Sequence, residues 1–303
     1  LANLYRQLKP DFIIHYTIKP NIYGSFAAKL AGIPSIAVTT GLGYTFLSNN
    51  LVSKVAKFLY KLAFLIPNEV WFLNDDDRQA FIDHRLVDKE KAMILHGEGV
   101  NTTHFSPMLK LKDDGCFRFL LVARMLWDKG VGDYVKAARL IRKHYPNVIF
   151  QLLGATGVHN PNAISREQIA QWEAAGDVEY LGTTNDVRHF ISQADCLVLP
   201  SYYREGIPRT LMEGAAMGKP LITTNNVGCR DVVIDGKTGF LCPVKDAHSL
   251  AERALQILTM NEFERQSMGV AGRNFMIKNF DEQKVIDQYI ETLNKYGIST
   301  GIA

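Results

Sequence analysis

The sequence predicts an α/β protein with two doubly wound domains, and three observations support this prediction. Short apolar runs alternate with helical stretches along the whole chain, which is typical of parallel sheets covered by helices. The 303 residues and the 47% hydrophobic content are enough to bury two sizeable cores. A polar stretch at 101–115, which contains Pro107, separates two such alternating series and is the predicted linker.

The first domain is predicted at residues 1–108. Its strands follow short runs of β-branched and aromatic residues, and its helices lie between them. The predicted strands are 12–15, 35–39, 70–73 and 92–95, and the predicted helices are 22–31, 51–65 and 75–83. Doubly wound domains begin with a strand and a glycine-rich turn, whereas this chain begins at Leu1 inside a helical stretch. We therefore expect the first elements of this domain to be missing.

The second domain is predicted at residues 109–281, where the alternation of strand and helix starts again. The predicted strands are 117–122, 148–153, 178–181, 196–199 and 221–224, and surface helices follow at 246–260 and 262–278. A last helix is predicted at 282–298, because apolar residues recur there at helical spacing. Ligands bind at the carboxyl ends of strands in doubly wound sheets, so we expect the functional site there.

Composition excludes several classes of function. The net charge is only +3, which gives no argument for a nucleic-acid partner. The sequence contains no apolar run of about 18 residues, so it predicts no membrane-spanning helix. The four cysteines lack a CxxC pair, which indicates reduced thiols in a cytoplasmic protein. The sequence contains no cysteine cluster and no His-x-x-x-His pair, so no metal site is expected.

The segment 202–213 (YYREGIPRTLME) carries the strongest signal of a ligand site. It sets Glu205 and Glu213 eight positions apart, with a predicted helix start at Pro208 between them. The open N–H groups of a helix start favour an anion, and carboxylates accept hydrogen bonds from hydroxyl groups. The segment therefore suits a ligand that is anionic in the middle and carries hydroxyls at both ends, as a nucleotide-sugar does.

Together with its exit Gly218-Lys219-Pro220, this Glu-x7-Glu segment resembles the family-4 retaining glycosyltransferases. Further segments that resemble this family occur in the family's order, at 122–130 (VARMLWDKG), 194–200 (ADCLVLP), 227–231 (VGCRD) and 235–240 (DGKTGF). The resemblance is greater over 116–245 than over 1–108. It implies the GT-B architecture, in which two Rossmann-like domains face each other across a cleft. In that architecture the terminal helix packs back on the first domain.

The resemblance also implies roles for individual residues. Arg124 and Lys129 are assigned to the donor diphosphate, where they stabilise charge on the leaving group without a metal cofactor. Glu205 is assigned to the transferred sugar and Glu213 to the ribose. The predicted backbone contacts to the donor come from Gly206, Ile207, Arg209, Thr210 and Leu211, and those to the base come from Gly182 and Thr183. The alternative for Arg124, Lys129 and Glu213 is that each is a charged side chain in solvent. The alternative for Glu205 is an ion pair with Arg204 or Arg209.

The first domain supplies the predicted acceptor side. Many family members carry a His-x-His pair after the first strand of this region, and here Tyr16 stands where the second His would fall. His15 is a candidate site residue, with a buried core histidine as the alternative. Lys19 lies in a segment, 17–24 (TIKPNIYG), that resembles bacterial members acting on undecaprenyl-diphosphate-linked sugars. Further candidates, which can bring backbone close to sugar or phosphate, are Gly41 and Gly43.

A basic stretch at residues 12–68 indicates a surface that faces a membrane. The stretch contains five lysines and no acidic residue, and Lys54, Lys57 and Lys61 lie on a predicted apolar helix. Such a helix can lie on an anionic membrane surface, while the alternative is a core helix whose lysines face solvent. The apolar residues are Leu51, Val52, Val55, Phe58, Leu59, Leu62 and Phe64. We expect a lipid-linked acceptor and a peripheral position at the inner face of the cytoplasmic membrane.

These patterns predict a retaining glycosyltransferase. The donor is expected to be a UDP-sugar, and the transferred group a hexose or an N-acetylhexosamine that passes to a lipid-linked saccharide or polysaccharide precursor. One alternative keeps the fold and changes the reaction to that of a UDP-sugar epimerase. The other is a non-catalytic fragment that binds nucleotide-sugars, because the first elements are expected to be missing. Acceptor-dependent release of UDP distinguishes transfer from both alternatives.

Overall fold

The structure is a computed structural model that describes residues 1–41, 51–110 and 114–299, apart from the side chain of Val52. By their contacts the residues form two units, each built on its own parallel sheet. The first unit comprises Leu1–Gly99, Arg204–Ile207 and Glu282–Ala303, and the second comprises Val100–Tyr203 and Pro208–Asp281. The prediction of an α/β protein with two parallel sheets is confirmed.

Strands and helices alternate through both units. The strands are β1 (Ile13–Tyr16), β2 (Ser35–Thr39), β3 (Glu69–Phe72), β4 (Ala92–Ile94), β5 (Phe117–Val122), β6 (Val148–Leu153), β7 (Glu179–Tyr180), β8 (Cys196–Leu199), β9 (Leu221–Thr224) and β10 (Gly239–Cys242). The helices are α1 (Ala2–Leu8), α2 (Ser25–Ala31), α3 (Leu51–Ala63), α4 (Asp75–Asp83), α5 (Val131–Arg142), α6 (Arg166–Ala174), α7 (Arg188–Gln193), α8 (Arg209–Ala216), α9 (Ala247–Thr259), α10 (Glu262–Asn279) and α11 (Glu282–Lys295).

The first sheet has the strand order β1-β2-β3-β4, with all neighbours parallel. Successive side chains of a strand point to opposite faces of the sheet. One face packs against Tyr60 of α3, Phe64 just after α3 and Phe81 of α4. The other face packs against Val285 and Tyr289 of α11. Because both faces are covered, these strands have continuous apolar runs rather than an alternating pattern.

Helix α11 is held on the first sheet by a buried carboxylate as well as by apolar packing. Glu69 of β3 accepts hydrogen bonds from the Nζ of Lys295 (2.6 Å), the Nε1 of Trp71 (2.8 Å) and the hydroxyl of Tyr296 (3.1 Å). Burial alone would raise the pKa of Glu69, but these donors outweigh it and lower the pKa. The rings of Trp71 and Tyr289 lie 4.7 Å apart between their centroids. Helix α11 and Tyr296 are therefore part of the first unit.

The chain changes from the first unit to the second at Gly99–Val100, ahead of the predicted boundary at 108–109. The N–H of Val100 donates to the backbone carbonyl of Phe280, at 2.8 Å. Arg273 of α10 donates through its Nη1 to the carbonyl of Phe105, at 3.1 Å. These bonds attach the stretch after Gly99 to the end of α10, so its contacts are those of the second unit.

The second sheet has the strand order β10-β9-β8-β5-β6-β7, again with all neighbours parallel. The chain starts in the middle at β5 and adds β6 and β7 on one side. It then adds β8, β9 and β10 on the other side, so the order reverses between β5 and β8. Such a reversal is a topological switch point, where doubly wound sheets bind their ligands at the carboxyl edge.

Strand β10 is absent from the predicted strands, and β7 is shorter than the predicted strand at 178–181. The four residues of β10 begin with a glycine, which has a low strand propensity. A Cβ at Gly239 would lie 2.3 Å from the carbonyl oxygen of Leu221, so close pairing with β9 requires glycine there. In the described part of the chain, no helix is long and apolar enough to cross a membrane.

Candidate functional site

The switch point of the second sheet brings two loops together. Residues 123–130 follow β5, and residues 200–203 follow β8. The backbone carbonyl of Asp128 accepts hydrogen bonds from the N–H groups of Tyr202 (3.0 Å) and Tyr203 (3.1 Å). These bonds hold the start of the Glu-x7-Glu segment against the loop that carries the two predicted diphosphate-binding cations.

Two glycines make this close approach possible. Gly130 has a φ of 75°, and a Cβ there would lie 2.0 Å from the carbonyl oxygen of Pro200. A Cβ at Gly154, after β6, would lie 1.8 Å from the carbonyl oxygen of Ala123. Because both neighbours are backbone atoms, any side chain at either position would displace a loop. The glycines therefore fix the geometry of the carboxyl edge.

The two predicted diphosphate-binding cations lie on the loop after β5. Arg124 is exposed, and Lys129 is half-buried with its Nζ 5.6 Å from the ring centroid of Tyr203. Between them, the buried Asp128 accepts a hydrogen bond at Oδ2 from the Nδ2 of Asn162, at 3.2 Å. Two positive charges therefore stand at the edge where such sheets bind ligands.

Helix α8 begins without a side-chain cap, because its N-cap residue is Pro208. The N–H groups of its first two residues, Arg209 and Thr210, precede the first hydrogen bond of the helix, and such groups favour an anion. One turn later Glu213 is buried, and the Nε of Arg209 lies 3.6 Å from its Oε1. Burial raises the pKa of Glu213, while electrostatic interactions with Arg209 and His104 oppose the rise. The helix start thus combines an anion-binding end with a carboxylate.

The predicted backbone donors of α8 differ in their surroundings. Arg209 and Thr210 are the first two residues of the helix. Leu211 is buried, and its N–H donates to the carbonyl of Pro208, at 3.2 Å. In this structure the N–H of Leu211 is therefore already bonded to the N-cap residue. Within the described ranges, no cluster of three or more His, Cys, Asp or Glu side chains could hold a metal ion.

The loop that carries Glu205 belongs by its contacts to the first unit. Glu205 is buried, and the Nδ2 of Asn74 donates to the backbone carbonyls of Gly206 (3.0 Å) and Glu205 (3.4 Å). Ile207 packs near Gly97, where an added Cβ would lie 3.5 Å from the Ile207 side chain. The Glu-x7-Glu segment is thus divided, with its first carboxylate in the first unit and its second in the second unit.

A cavity of about 480 Å³ lies at the carboxyl ends of β6 and β7. Gly182 and Thr183, the residues predicted to contact the base, line it together with Tyr180. The carbonyl of Gly182 accepts a hydrogen bond from the N–H of Gly154, at 2.8 Å. Cavities of roughly 300–1,000 Å³ are typical of small-molecule sites. The cavity therefore shares its edge of the sheet with the basic loop after β5.

His15 lies inside the first unit, at 3% exposure. Its Nε2 lies 3.2 Å from the hydroxyl of Tyr5, and a Cβ at Gly24 would lie 2.5 Å from its ring. Burial lowers the pKa of His15 to about 4, so the imidazole is neutral at pH 7. These surroundings favour the alternative of a core histidine over a contact with substrate.

The other acceptor-side candidates lie after β1 and β2. Lys19 is exposed and precedes a π-helical turn at Pro20–Gly24. Thr17, two residues before it, has a φ of 68°, which is rare for a β-branched residue and occurs at functional sites. Gly41 has a φ of 140°, and a Cβ there would lie 3.5 Å from the N of Gly206. Gly43 lies outside the described residues.

Two residues around Glu205 were not predicted from the sequence. Asn74 is the N-cap of α4, and Asp77 is the buried ion-pair partner of Arg204, with 2.7 Å between Oδ1 and Nε. An Asn before three acidic residues is a signal for a helix start, so the cap could have been predicted. The contact with the Glu205 loop could not, because 131 positions separate Asn74 from Glu205.

The sequence is similar to known glycosyltransferases. The family model described as "Glycosyl transferases group 1" matches residues 109–275. The N,N'-diacetylbacillosaminyl-diphospho-undecaprenol alpha-1,3-N-acetylgalactosaminyltransferase of Campylobacter jejuni subsp. jejuni serotype O:2 is 28% identical, over 97% of this chain and 80% of the relative. The UDP-Gal:alpha-D-GlcNAc-diphosphoundecaprenol alpha-1,3-galactosyltransferase of Escherichia coli is 25% identical, over 95% of this chain and 77% of the relative.

Solved structures resemble this chain over the same extent. Anabaena Alr3699/HepE in complex with UDP has a TM-score of 0.83 at 19% identity, over 97% of this chain and 80% of that one. Sucrose-phosphate synthase from Thermosynechococcus elongatus has a TM-score of 0.82 at 19% identity, over 97% of this chain and 75% of that one. At these identities the likeness shows the fold alone, and the predicted GT-B fold is confirmed.

Proposed function

Because the chain belongs to the glycosyl transferases group 1 family, and is therefore a glycosyltransferase, we propose that it uses a UDP-sugar as donor. The proposed reaction moves a hexose or an N-acetylhexosamine, with retention of configuration, to a lipid-linked saccharide. One observation carries the proposal. The switch point of the second sheet combines the basic loop after β5 with a neighbouring cavity and the uncapped start of α8 in the same unit.

The donor's negative charge has partners in this arrangement. Arg124 offers a bidentate guanidinium and Lys129 a point charge for the diphosphate, and the N–H groups at the start of α8 add to them. Glu213 accepts hydrogen bonds from the ribose hydroxyls, and the cavity at Gly182 receives the base. We propose that these groups replace a metal ion, so EDTA should leave nucleotide binding unchanged.

The reaction breaks the bond between the anomeric carbon and the diphosphate oxygen. An acceptor hydroxyl forms the new bond on the same face, and its proton passes to the departing diphosphate. Arg124 and Lys129 stabilise the negative charge that builds on that oxygen. Glu205 binds hydroxyls of the transferred ring and is not proposed as a covalent nucleophile.

The proposed acceptor is a saccharide on a lipid diphosphate, as the names of both curated relatives state for those enzymes. Helix α3 supports a position of this chain at the membrane. On one face Tyr60 and Ala63 pack into the core of the first unit, together with Phe64 just after the helix. Its other face leaves an apolar stripe exposed at helical spacing, formed by Leu51, Val55, Phe58 and Leu62.

Two exposed lysines, Lys54 and Lys61, flank this stripe. An apolar stripe with adjacent basic residues binds the interface of an anionic bilayer through burial of its apolar side chains and electrostatic attraction. We therefore propose a peripheral position at the inner face of the cytoplasmic membrane, where lipid-linked saccharides present their sugars.

Calorimetric titration tests the donor site. UDP should bind in the presence of EDTA, GDP should bind more weakly, and Glu213→Ala should weaken UDP binding about tenfold or more through the lost ribose contacts. Release of UDP from a UDP-sugar should then require a lipid-diphosphate saccharide. Interconversion of the sugar without an acceptor would show an epimerase, and UDP binding without any turnover would show a binding fragment.

Sedimentation with vesicles tests the membrane proposal. The protein should bind vesicles that contain phosphatidylglycerol, and bind less at high salt, because salt screens the lysines. Phe58→Asp should abolish most of this binding. Phe263→Asp is the matched control, because Phe263 is equally a phenylalanine and is exposed on α10 of the second unit. Equal loss in both variants would contradict a specific role of α3.

A further inference from the structure

Asn74 combines two tasks in one buried side chain. Its Oδ1 accepts a hydrogen bond from the N–H of Asp77, at 2.8 Å, and so caps helix α4. Its Nδ2 donates to the backbone carbonyls of Gly206 and Glu205. A helix cap needs only an acceptor, which Ser, Thr or Asp also provides. The donor function is what sets asparagine apart at this position.

Asp77 extends this arrangement to a second side chain of the same loop. Its carboxylate is 1% exposed, and its Oδ1 pairs with the Nε of Arg204, at 2.7 Å. Its Oδ2 accepts a hydrogen bond from the Nδ2 of Asn74, at 3.3 Å. A buried carboxylate is costly unless it is paired, so the ion pair fixes where Arg204 can lie. Asn74, Asp77 and Arg204 together are called the loop anchor below.

The backbone held by the loop anchor has little room to move. A Cβ at Gly206 would lie 2.5 Å from the carbonyl oxygen of Thr40 and 2.9 Å from the Cδ1 of Leu73. Thr40 follows β2 and Leu73 follows β3, so the loop lies on the carboxyl ends of the first sheet. The Glu205–Gly206 peptide is therefore fixed from two sides, by packing and by hydrogen bonds.

We propose that the loop anchor is a positioning device that places Glu205 against the transferred sugar. This inference rests on the proposed function, in which Glu205 binds that sugar. Asn74, Asp77 and Arg204 act through the backbone of the loop and do not touch the substrate. Misplacement of a binding group by about 1 Å can cost roughly 100-fold in rate, so a loosened loop should lower turnover.

Asn74→Ser separates the two tasks of Asn74. Serine keeps the helix cap but has no amide to donate to the loop. The variant should keep the wild-type affinity for UDP, which lacks the sugar, and should bind the UDP-sugar roughly tenfold more weakly. Its kcat should fall by at least a similar factor. Asn261→Ser is the matched control, because Asn261 likewise caps a helix, α10 of the second unit, through the N–H of Glu264.

The ion pair is tested in the same assay. Arg204→Gln removes the charge that pairs with Asp77, whereas Arg204→Lys keeps it. Arg204→Gln should reproduce the loss seen in Asn74→Ser, and Arg204→Lys should recover part of it. If Asn74→Ser and Arg204→Gln are folded and match the wild type in UDP-sugar affinity and in kcat, the positioning role is wrong.

Hydrogen exchange by mass spectrometry tests the anchor independently of activity. Amides of the peptide 203–208 should exchange faster in Asn74→Ser and Arg204→Gln, and at the wild-type rate in Asn261→Ser. Unchanged exchange in all variants would overturn the anchor even in an active enzyme. A wild-type protein that binds no nucleotide would overturn the proposed function, while faster exchange in the variants would still support the anchor.

Discussion

The carboxyl edges of the two parallel sheets differ in what occupies them. In the second unit this edge carries exposed or half-buried charges, such as Arg124 and Lys129, beside a cavity of about 480 Å³. In the first unit the edge is filled by the chain itself, because residues 204–207 lie on the loops after β2, β3 and β4. The same physical feature of a parallel sheet is thus left for a ligand in one unit and covered by protein in the other.

This difference determines how substitutions should act. At the first edge the contacts are tight and converge on the backbone of Glu205 and Gly206, so a substitution should act through displaced geometry. At the second edge the groups are charged and accessible, so a substitution should act through lost electrostatic contacts. The predictions follow from the largest expected effect to the smallest. The first three test this distinction at the two edges, and the fourth tests a buried group of the first unit.

Gly206→Ala should disrupt the packing of residues 204–207 at the carboxyl edge of the first sheet. The added Cβ would lie 2.5 Å from the carbonyl oxygen of Thr40, a backbone atom that cannot rotate away. We expect kcat/KM for the UDP-sugar to fall roughly 100-fold, because the loop that carries Glu205 must shift. Gly272→Ala is the control, since its Cβ would meet its nearest neighbours at 3.8 Å and should leave activity intact. Wild-type kcat/KM in Gly206→Ala would show that the loop accommodates a Cβ at this position without a change in geometry.

Arg124→Met and Lys129→Met should weaken the interaction with the donor at the carboxyl edge of the second sheet. Each loses a charge-assisted contact to the diphosphate, so kcat/KM should fall roughly 10- to 100-fold in steady-state assays. Lys136→Met is the matched control, because Lys136 is an exposed lysine on α5 that pairs with Asp133 at 3.3 Å. Surface pairs of this kind contribute little. If kcat/KM falls no more in these variants than in the control, neither residue contacts the donor diphosphate.

Acid should weaken UDP binding through Glu213. Burial raises the pKa of this carboxyl above its ordinary value of 4.5, and the ribose contact needs the ionised form. As the pH falls through the raised pKa, Glu213 gains a proton and the affinity for UDP should drop about tenfold. Glu213→Gln should bind UDP weakly at every pH, and its affinity should not drop as the pH falls. Titrations between pH 4.5 and 8 would contradict the assignment if both proteins showed the same profile.

His15→Gln should make the free energy of unfolding less dependent on pH. Burial lowers the pKa of His15 from 6.5 to about 4, so below pH 6.5 the unfolded chain takes up the proton first. The stability from this group is present above pH 6.5 and is lost as the pH falls towards 4. Between pH 7 and 5.5 the wild type should lose about 1 kcal/mol more than the variant in urea unfolding. His84→Gln, at an exposed position, is the control.

Much of the fold could be predicted, because buried parallel strands leave a local signal. The strand predicted at 117–122 matches β5, and the one at 196–199 matches β8. The prediction missed β10, whose four residues begin at a glycine that only its neighbour explains. The sequence indicated that Arg124 and Lys129 follow a strand. Their place at a switch point depends on strand order, which no local pattern encodes.

The division of the Glu-x7-Glu segment was equally beyond prediction. Spacing places Glu205 on a loop and Glu213 on a helix, and both placements agree with the structure. Nothing in the segment shows that Asn74 and Asp77 hold the first carboxylate's loop, since that contact spans more than 100 positions of the chain. Long-range hydrogen bonds to backbone leave no signal in the residues that accept them.

The discontinuity of the first unit has a consequence during synthesis of the chain. Strands β1 to β4 have all been made once Gly99 is added, but the face formed by Trp71 and its neighbours is covered by Tyr289 of α11. At translation rates of roughly 5–20 residues per second, the intervening chain takes about 10–40 s to appear. Throughout that interval this apolar face of the nascent sheet lacks its intramolecular partner and is accessible to chaperones or to other nascent chains.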